Sequence, residues 1–312
     1  MSNRADLYRE FLKFYWLRPE NAIMLGVRGD AFASTLDLIN EGEDSIDVSC
    51  GDGVYSYITM GGTFSNKPDQ FRAVSFKKTF REGDYDAYDH FDDSYRIEIT
   101  KRPEHHFIYG ADWKDNLLQK AKALDFYDNL LFHDNNNPLP LEDGSIGYAY
   151  TNSSYWVPKF EEHLQDLVRI LKPGGHLVLQ MRTNKIKDYS LADIAPELGA
   201  KFHKIAEAGR VNTWKGLRPR DELMNIIGNL DGAKIVRDEP VLGQSIANIW
   251  NLGLRPLFNP LVKMANSLDI DARSKIKDEW CYIFEEMFTE YVENYQCTEE
   301  DAFEFLIVLE KT

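Results

Sequence analysis

Glycines and polar side chains that can contact a ligand follow the short strand-like segment that begins at Ser45. That segment contains Asp47 and runs into the turn Ser49–Gly53. Gly51 and Gly53 carry no Cβ, so a ligand can approach the backbone of this turn closely. The turn matches the dinucleotide fingerprint GxGxxG poorly, and a merely tight turn is the alternative. On its own, this turn indicates a candidate ligand-binding loop and no particular ligand.

Two further polar turns follow later apolar segments. Asp112 ends the segment that begins at His106, and a carboxylate at a strand tip can accept hydrogen bonds from both ribose hydroxyls. The alternative role for Asp112 is the N-cap of the helix that begins near Lys114. Asp134 and Asn135 follow the next segment, where a polar side chain can bind an adenine amino group. An ordinary turn is the alternative there.

The elements that position these residues alternate between helical and strand-like patterns. Helical spacing predicts helices at residues 5–17, 31–39, 114–124, 160–171, 220–230, 244–268 and 276–295. Apolar runs predict strands from Ser45 and at residues 106–112, 129–133, 146–152, 176–181, 233–237 and 303–309. This order and the nearly continuous apolar strands predict an α/β fold with a mostly parallel sheet covered on both faces.

Composition narrows the class of protein. The chain has 312 residues, 43% of them hydrophobic, and a formal net charge of −15. A negative field of this size disfavours nucleic acid and anionic membrane surfaces as partners. Three cysteines form no disulfide framework, and no apolar run is long enough to cross a membrane. We therefore expect a soluble, cytoplasmic protein.

The same segments, taken together, resemble the class I S-adenosylmethionine-dependent methyltransferases. The resemblance runs from about Ser45 to Thr183 and resumes at the last strand; its parts are IDVSCGDG, IYGADWKDNLLQKA, HDNNNPLPLEDGSIGYAYTNSSYW, LQDLVRILKPGGHLVL and FEFLIVLEKT. The helix–Lys–Pro–Gly–Gly–strand pattern is the most specific of them. The resemblance implies a doubly wound, Rossmann-like sheet of seven strands whose last strand is antiparallel.

The resemblance also implies roles for individual residues and S-adenosylmethionine as the cofactor. Its parts place the methionine moiety at the first turn, the ribose on Asp112, and adenine beside Trp113. The implied cofactor-binding residues are Asp47, Ser49, Gly51, Gly53, Asp112, Trp113, Asp134, Asn135 and Asn152. Ser49 stands where the family has glycine. Gly53 and Asp112 are 59 residues apart, so residues 61–106 form an extra insertion or lid above the site.

Three residues are candidates for acceptor chemistry, because the family places its acceptor pocket at the tips of the fourth and fifth strands. Tyr155 can wall the acceptor, although such aromatics more often pack a following helix. Arg182 can clamp a phosphate or carboxylate of the acceptor; a solvated arginine is the alternative. His90 lies in the acidic lid and can reach down as a general base. His133, His163 and His176 are expected to be structural, and no metal site is expected.

We therefore expect a methyltransferase that acts on a small molecule, such as a sugar or a nucleotide-sugar-like metabolite. A protein or peptide methyltransferase and a non-catalytic cofactor-binding regulatory subunit are the alternatives. Three regions are predicted: N-terminal helices over the site at 1–40, a cofactor-binding core at 41–184, and substrate-side helices with the last two strands at 185–312. The oligomeric state is left open.

Overall fold

The computed structural model describes residues 3–67, 69, 71, 91, 97–207, 214–252 and 254–312. Within them the strands are β1 (Ser45–Val48), β2 (Thr63–Phe64), β3 (Ile99–Lys101), β4 (Phe107–Asp112), β5 (Tyr127–Phe132), β6 (Ile146–Thr151), β7 (Leu171–Arg182), β8 (Ala233–Leu242) and β9 (Glu304–Lys311). The α-helices are α1 (Arg4–Phe14), α2 (Pro19–Ala33), α3 (Val54–Thr59), α4 (Asp115–Leu124), α5 (Phe160–Ile170), α6 (Leu191–Ile194), α7 (Gly199–Glu207), α8 (Arg220–Gly228), α9 (Gln244–Leu252), α10 (Phe258–Asn266) and α11 (Ile270–Asn294).

Seven of these strands form one sheet in the order β5–β4–β1–β6–β7–β9–β8. Strands β5, β4, β1, β6 and β7 pair in parallel, whereas β9 pairs antiparallel with both β7 and β8. All residues of β1 and β6 are buried, as expected for strands inside a parallel sheet that is covered on both faces. The predicted α/β fold, with a mostly parallel seven-stranded sheet and an antiparallel last strand, is confirmed.

The N-terminal helices differ from the prediction. Asn3 caps α1, accepting a hydrogen bond from the Asp6 backbone N–H at 2.8 Å. Pro19 does not simply end that helix; it is the first residue of α2, where its missing N–H costs nothing. The predicted helix at 31–39 is therefore wrong, because α2 ends at Ala33 and only a short 3₁₀ turn follows.

The late helices are also divided differently. The predicted helix at 244–268 is two helices, α9 and α10, with a 3₁₀ turn that contains Pro256 between them. The last helix, α11, begins at Ile270, earlier than predicted, because Asp269 caps it by accepting from the Ala272 N–H at 2.8 Å. Helix α1 packs against both α2 and α11, so these elements form one helical layer.

The predicted insertion at 61–106 lies partly outside the described residues. Its described ends pair as the two-stranded antiparallel ribbon β2–β3, and α3 is the short helix that follows β1. His90 falls in the part that is not described. No helix in the described portions of the chain combines the length and apolar character needed to cross a membrane.

Candidate active site

The carboxyl ends of β1, β4 and β5 meet at one edge of the sheet. The Cys50 N–H donates to the Ala111 carbonyl at 3.0 Å, and the His133 N–H donates to the Asp112 carbonyl at 2.9 Å. Beyond the strand ends, the Asn135 side-chain amide donates to the Ser49 hydroxyl at 2.8 Å. The three turns that the resemblance assigns to the methionine, ribose and adenine parts of one cofactor are therefore joined at one edge of the sheet, which we call the crevice.

The turn after β1 has the backbone conformation that a close ligand contact requires. Ser49, Gly51 and Gly53 have φ values of 63°, 60° and 76°. A Cβ at Gly51 would meet nothing within 4 Å, so open space lies beside its backbone. Ser49 adopts the left-handed conformation that glycine takes readily, so replacing the family's glycine with serine preserves the turn. The turn can thus cradle a ligand at Gly51.

The Asp112 carboxylate ties the turn after β1 to β4. One oxygen accepts from the Gly51 N–H at 3.0 Å and the other from the Lys114 N–H at 2.8 Å. Lys114 is itself the N-cap of α4, so the capping alternative for Asp112 is wrong. A carboxylate oxygen can accept a second hydrogen bond, so Asp112 has capacity left for two ribose hydroxyls. Burial raises the pKa of Asp112.

Asp47 lies beneath the turn. Its carboxylate oxygen accepts from the Ser56 hydroxyl at 2.6 Å and from the Tyr127 hydroxyl at 2.8 Å. Burial, opposed by these two hydrogen bonds and reinforced by the nearby charge of Asp112, raises the pKa of Asp47 to about 6. Asp47 therefore holds α3 and β5 together under the crevice and contacts almost no solvent.

The remaining residues predicted to bind the cofactor lie in the turns after β4, β5 and β6. Trp113, next to Asp112, is 63% exposed, so its ring is open to a stacking partner. Asp134 is exposed and accepts from the Asn136 N–H at 3.0 Å, which is the ordinary turn role considered for this loop. Asn135 is the residue of this loop that reaches the first turn. Asn152, after β6, offers its carbonyl to Arg28 at 3.5 Å.

Two residues predicted to serve the acceptor, Tyr155 and Arg182, lie at the ends of β6 and β7. Tyr155 is buried and packs edge-on to Trp156, with ring centroids 5.0 Å apart. Arg182 is 6% exposed, so the solvated alternative is wrong, and its guanidinium pairs with Glu304 at 2.9 Å. Arg182 is thus already held by a carboxylate of the chain, a partner that lies far away in the sequence.

Three residues that were not predicted from the sequence hold parts of the candidate site together: Tyr127 beneath the crevice, and Arg28 and Glu304 near the ends of β6 and β7. Tyr127 carries no motif and stands at the start of a strand. Arg28 lies inside a helix and donates to Glu304. Glu304 did carry a signal, since it is an acid between Phe303 and Phe305 in an apolar strand. A buried charge in such a run needs partners.

The histidines expected to be structural are buried or partly buried. His163 forms a hydrogen bond with the Ser154 hydroxyl at 3.0 Å, and burial lowers its pKa to about 4. His133 is also buried, and its pKa is lowered for the same reason. Across the described ranges, no group of three or more His, Cys, Asp or Glu side chains is arranged to hold a metal ion.

Comparison with known families agrees with this arrangement. Residues 95–179 match the family described as a methyltransferase domain. A demethylmenaquinone methyltransferase of Bacillus mycoides is 34% identical over 80 residues, covering 23% of this chain and 32% of that protein. One from Listeria welshimeri is 36% identical over 84 residues, covering 24% and 34%. The chain thus spans about a third of the length of these curated relatives.

Solved methyltransferase structures match more of the chain at lower identity. A geranyl diphosphate C-methyltransferase from Streptomyces coelicolor, in complex with Mg²⁺, geranyl diphosphate and S-adenosyl-L-homocysteine, is 10% identical with a TM-score of 0.44, covering 94% of this chain and 82% of that one. A possible histamine N-methyltransferase from Thermotoga maritima is 12% identical with a TM-score of 0.41, covering 92% and 90%. The part of this chain that is similar to a methyltransferase domain, residues 95–179, runs from just before β3 through most of β7.

Proposed function

We propose that the chain binds S-adenosylmethionine in the crevice at the ends of β1, β4 and β5 and transfers its methyl group to a small molecule. The observation that carries this proposal is the joining of the Gly51 turn, Asp112 and Asn135 in one crevice. The open backbone of the Gly51 turn suits the methionine part of this cofactor. The Asp112 carboxylate, which can accept further hydrogen bonds, suits the ribose, and the exposed ring of Trp113 suits adenine.

The chain's own residues act mainly by positioning. S-adenosylmethionine supplies a methyl group already activated on a sulfonium, so transfer is a displacement that needs alignment of donor and acceptor. Asp112 holds the ribose, and the Gly51 turn lets the methionine part lie against the backbone. Tyr155 and the other aromatics near the ends of β6 and β7 exclude water from the acceptor side. His90, outside the described residues, is proposed as a general base where the acceptor must lose a proton.

A small acceptor is supported by two observations. The curated relatives are named for demethylmenaquinone, which is a small molecule. At the candidate acceptor side, Tyr155, Arg182 and Trp250 are also all at least nine-tenths buried, so these side chains offer little surface to a macromolecular acceptor. The net charge of −15 gives no attraction for a nucleic acid. A sugar-like metabolite is one acceptor class within this proposal.

Calorimetry with S-adenosylmethionine and S-adenosylhomocysteine tests the cofactor part. Asp112→Ala is expected to weaken cofactor binding by about 1–3 kcal/mol, or roughly 5- to 150-fold, because the ribose hydroxyls lose their charged acceptor. Asp115→Asn, which changes an exposed acid at the start of α4, is the matched control and should bind normally. Equal affinity in wild type and Asp112→Ala would contradict the assignment of the ribose to Asp112.

Methyl-label transfer tests the acceptor. Label from S-adenosylmethionine is expected in the small-molecule fraction of a cell extract incubated with the protein. Label in protein would instead support a protein methyltransferase. Cofactor binding with no label in any fraction would support a regulatory subunit.

A further inference from the structure

Two arginines share one carboxylate at the carboxyl ends of the strands. Glu304 is 0% exposed, while Arg28 and Arg182 are 7% and 6% exposed. Arg28 Nε donates to one Glu304 oxygen, and Arg182 Nη2 and Nε donate to the other at 2.9 and 3.2 Å. We call Arg28, Glu304 and Arg182 the arginine triad. Its formal charge is +1.

The surroundings of the arginine triad supply little compensation. Arg182 lies over the rings of Trp250 and Phe303, at 5.4 and 5.5 Å from their centroids. Arg28 lies 5.9 Å from the ring centroid of Tyr55. Among the residues that the structure describes, no second carboxylate forms an ion pair with either guanidinium. One unit of positive charge is thus nearly buried without a described counter-charge, which costs several kcal/mol unless an anion approaches it.

The place of the arginine triad in the fold puts it at the active-site edge. Arg182 is the last residue of β7, and Glu304, the first residue of β9, is its register partner. Arg28 reaches the carbonyl of Asn152 just beyond β6. Since β6 and β7 are parallel to β1 and β4, the triad lies at the same edge as the cofactor crevice.

We propose that the arginine triad is an anion subsite of this active site, which binds a carboxylate or phosphate group of a ligand during methyl transfer. The anion is either the carboxylate of the cofactor's methionine moiety or an acidic group on the acceptor. Guanidinium groups suit both, because they offer paired N–H donors to planar or tetrahedral oxyanions. Glu304 fixes the two guanidiniums in place and removes part of their charge. This inference rests on the proposed function.

Arg28→Gln and Arg182→Gln test the subsite, since each leaves one arginine paired with Glu304 and removes the excess charge. Arg237→Gln is the matched control; this arginine lies on β8 and pairs with Glu239 at 2.7 Å. The cofactor arm compares the affinities of S-adenosylhomocysteine and 5′-methylthioadenosine, which lacks the amino-acid portion. The acceptor arm titrates inorganic phosphate, pyrophosphate and acetate, at constant ionic strength, into protein saturated with S-adenosylhomocysteine.

Two results support the subsite and identify the source of its anion. If the cofactor supplies it, both triad variants lose about 10- to 100-fold in affinity for S-adenosylhomocysteine and none for 5′-methylthioadenosine. If the acceptor supplies it, both variants keep wild-type affinity for S-adenosylhomocysteine and lose at least tenfold in affinity for the added anions. The Arg237→Gln control should match the wild type in both arms.

Two other results overturn the subsite. If both triad variants bind every ligand of the two arms as tightly as the wild type does, the positive charge of the arginine triad is balanced within the chain. Equal losses of S-adenosylhomocysteine and 5′-methylthioadenosine would mean that the arginine triad only maintains the crevice. Wild-type protein that binds neither nucleoside would instead refute the proposed function itself, so the two failures are distinguishable.

Discussion

The buried carboxylate of Asp47 makes folding stability depend on pH in an unusual direction. Its pKa is raised from 3.8 to about 6 in the folded chain, whereas most carboxylates that stabilise a fold have lowered values. The folded state therefore binds the Asp47 proton more tightly than the unfolded state does. The stabilisation from this proton is complete below about pH 4 and is lost as the pH rises through 6.

The size of the effect follows from the shift. A rise in the pKa of Asp47 from 3.8 to about 6 corresponds to a free energy of about 3 kcal/mol, because one pKa unit is worth about 1.4 kcal/mol. Asp47→Asn removes the titration and keeps the shape of the side chain. We expect the free energy of unfolding of the wild type, relative to Asp47→Asn, to fall by about 3 kcal/mol between pH 4 and 7.

Urea denaturation of both proteins at a series of pH values measures this difference. Asp115→Asn, which makes the same replacement at an exposed acid in the first turn of α4, is the control. Tyr127→Phe provides a second variant: it removes a hydrogen bond that lowers the pKa of Asp47, so the midpoint of the change should move above 6. A wild-type advantage that is constant, or that grows with pH, would refute this account of Asp47.

Three further variants test the packing of the turn and the arginine triad. Gly53→Ala should destabilise the fold by about 2–4 kcal/mol, because its Cβ would lie 2.9 Å from both Leu124 and Tyr127 at a φ of 76°. Gly51→Ala, which meets open space, should cost only about 1–2 kcal/mol, and similar losses for the two in urea denaturation would contradict the packing. Glu304→Gln should cost about 3–5 kcal/mol because it leaves two buried guanidiniums without a counter-charge. A loss below about 1 kcal/mol would show that another anion neutralises them.

The sheet could be predicted from sequence because its signals are local. Each parallel strand is a short apolar run that ends in a polar turn, and β4 begins within one residue of its expected start. The helices after residue 184 were harder, since their apolar residues pack against one another without a strict period. The break between α9 and α10 depends on Pro256, whose effect the apolar pattern concealed.

In the candidate site, too, residues in local motifs could be predicted, whereas pairs that are distant in sequence could not. The Gly51 turn and Asp112 belong to contiguous motifs and could be found from the residues alone. The partners of Asp47 and Arg182 could not, because Tyr127 lies 80 residues from Asp47 and Glu304 lies 122 residues from Arg182. Only the tertiary fold brings these pairs together, and it places Arg182, predicted either to clamp an acceptor anion or to be solvated, in a buried ion pair.

The position of β9 has a consequence for the order of assembly during synthesis. This strand lies between β7 and β8, although 61 residues separate it from the end of β8. Until β9 emerges from the ribosome, β8 has no strand neighbour in the described fold, and the guanidiniums of Arg28 and Arg182 have not met their shared acid. Pairing between strands that are far apart in sequence is slow, and until β9 is in place the edge of β7 stays open to aggregation. Nascent chains stalled before residue 304 should therefore depend most on chaperones.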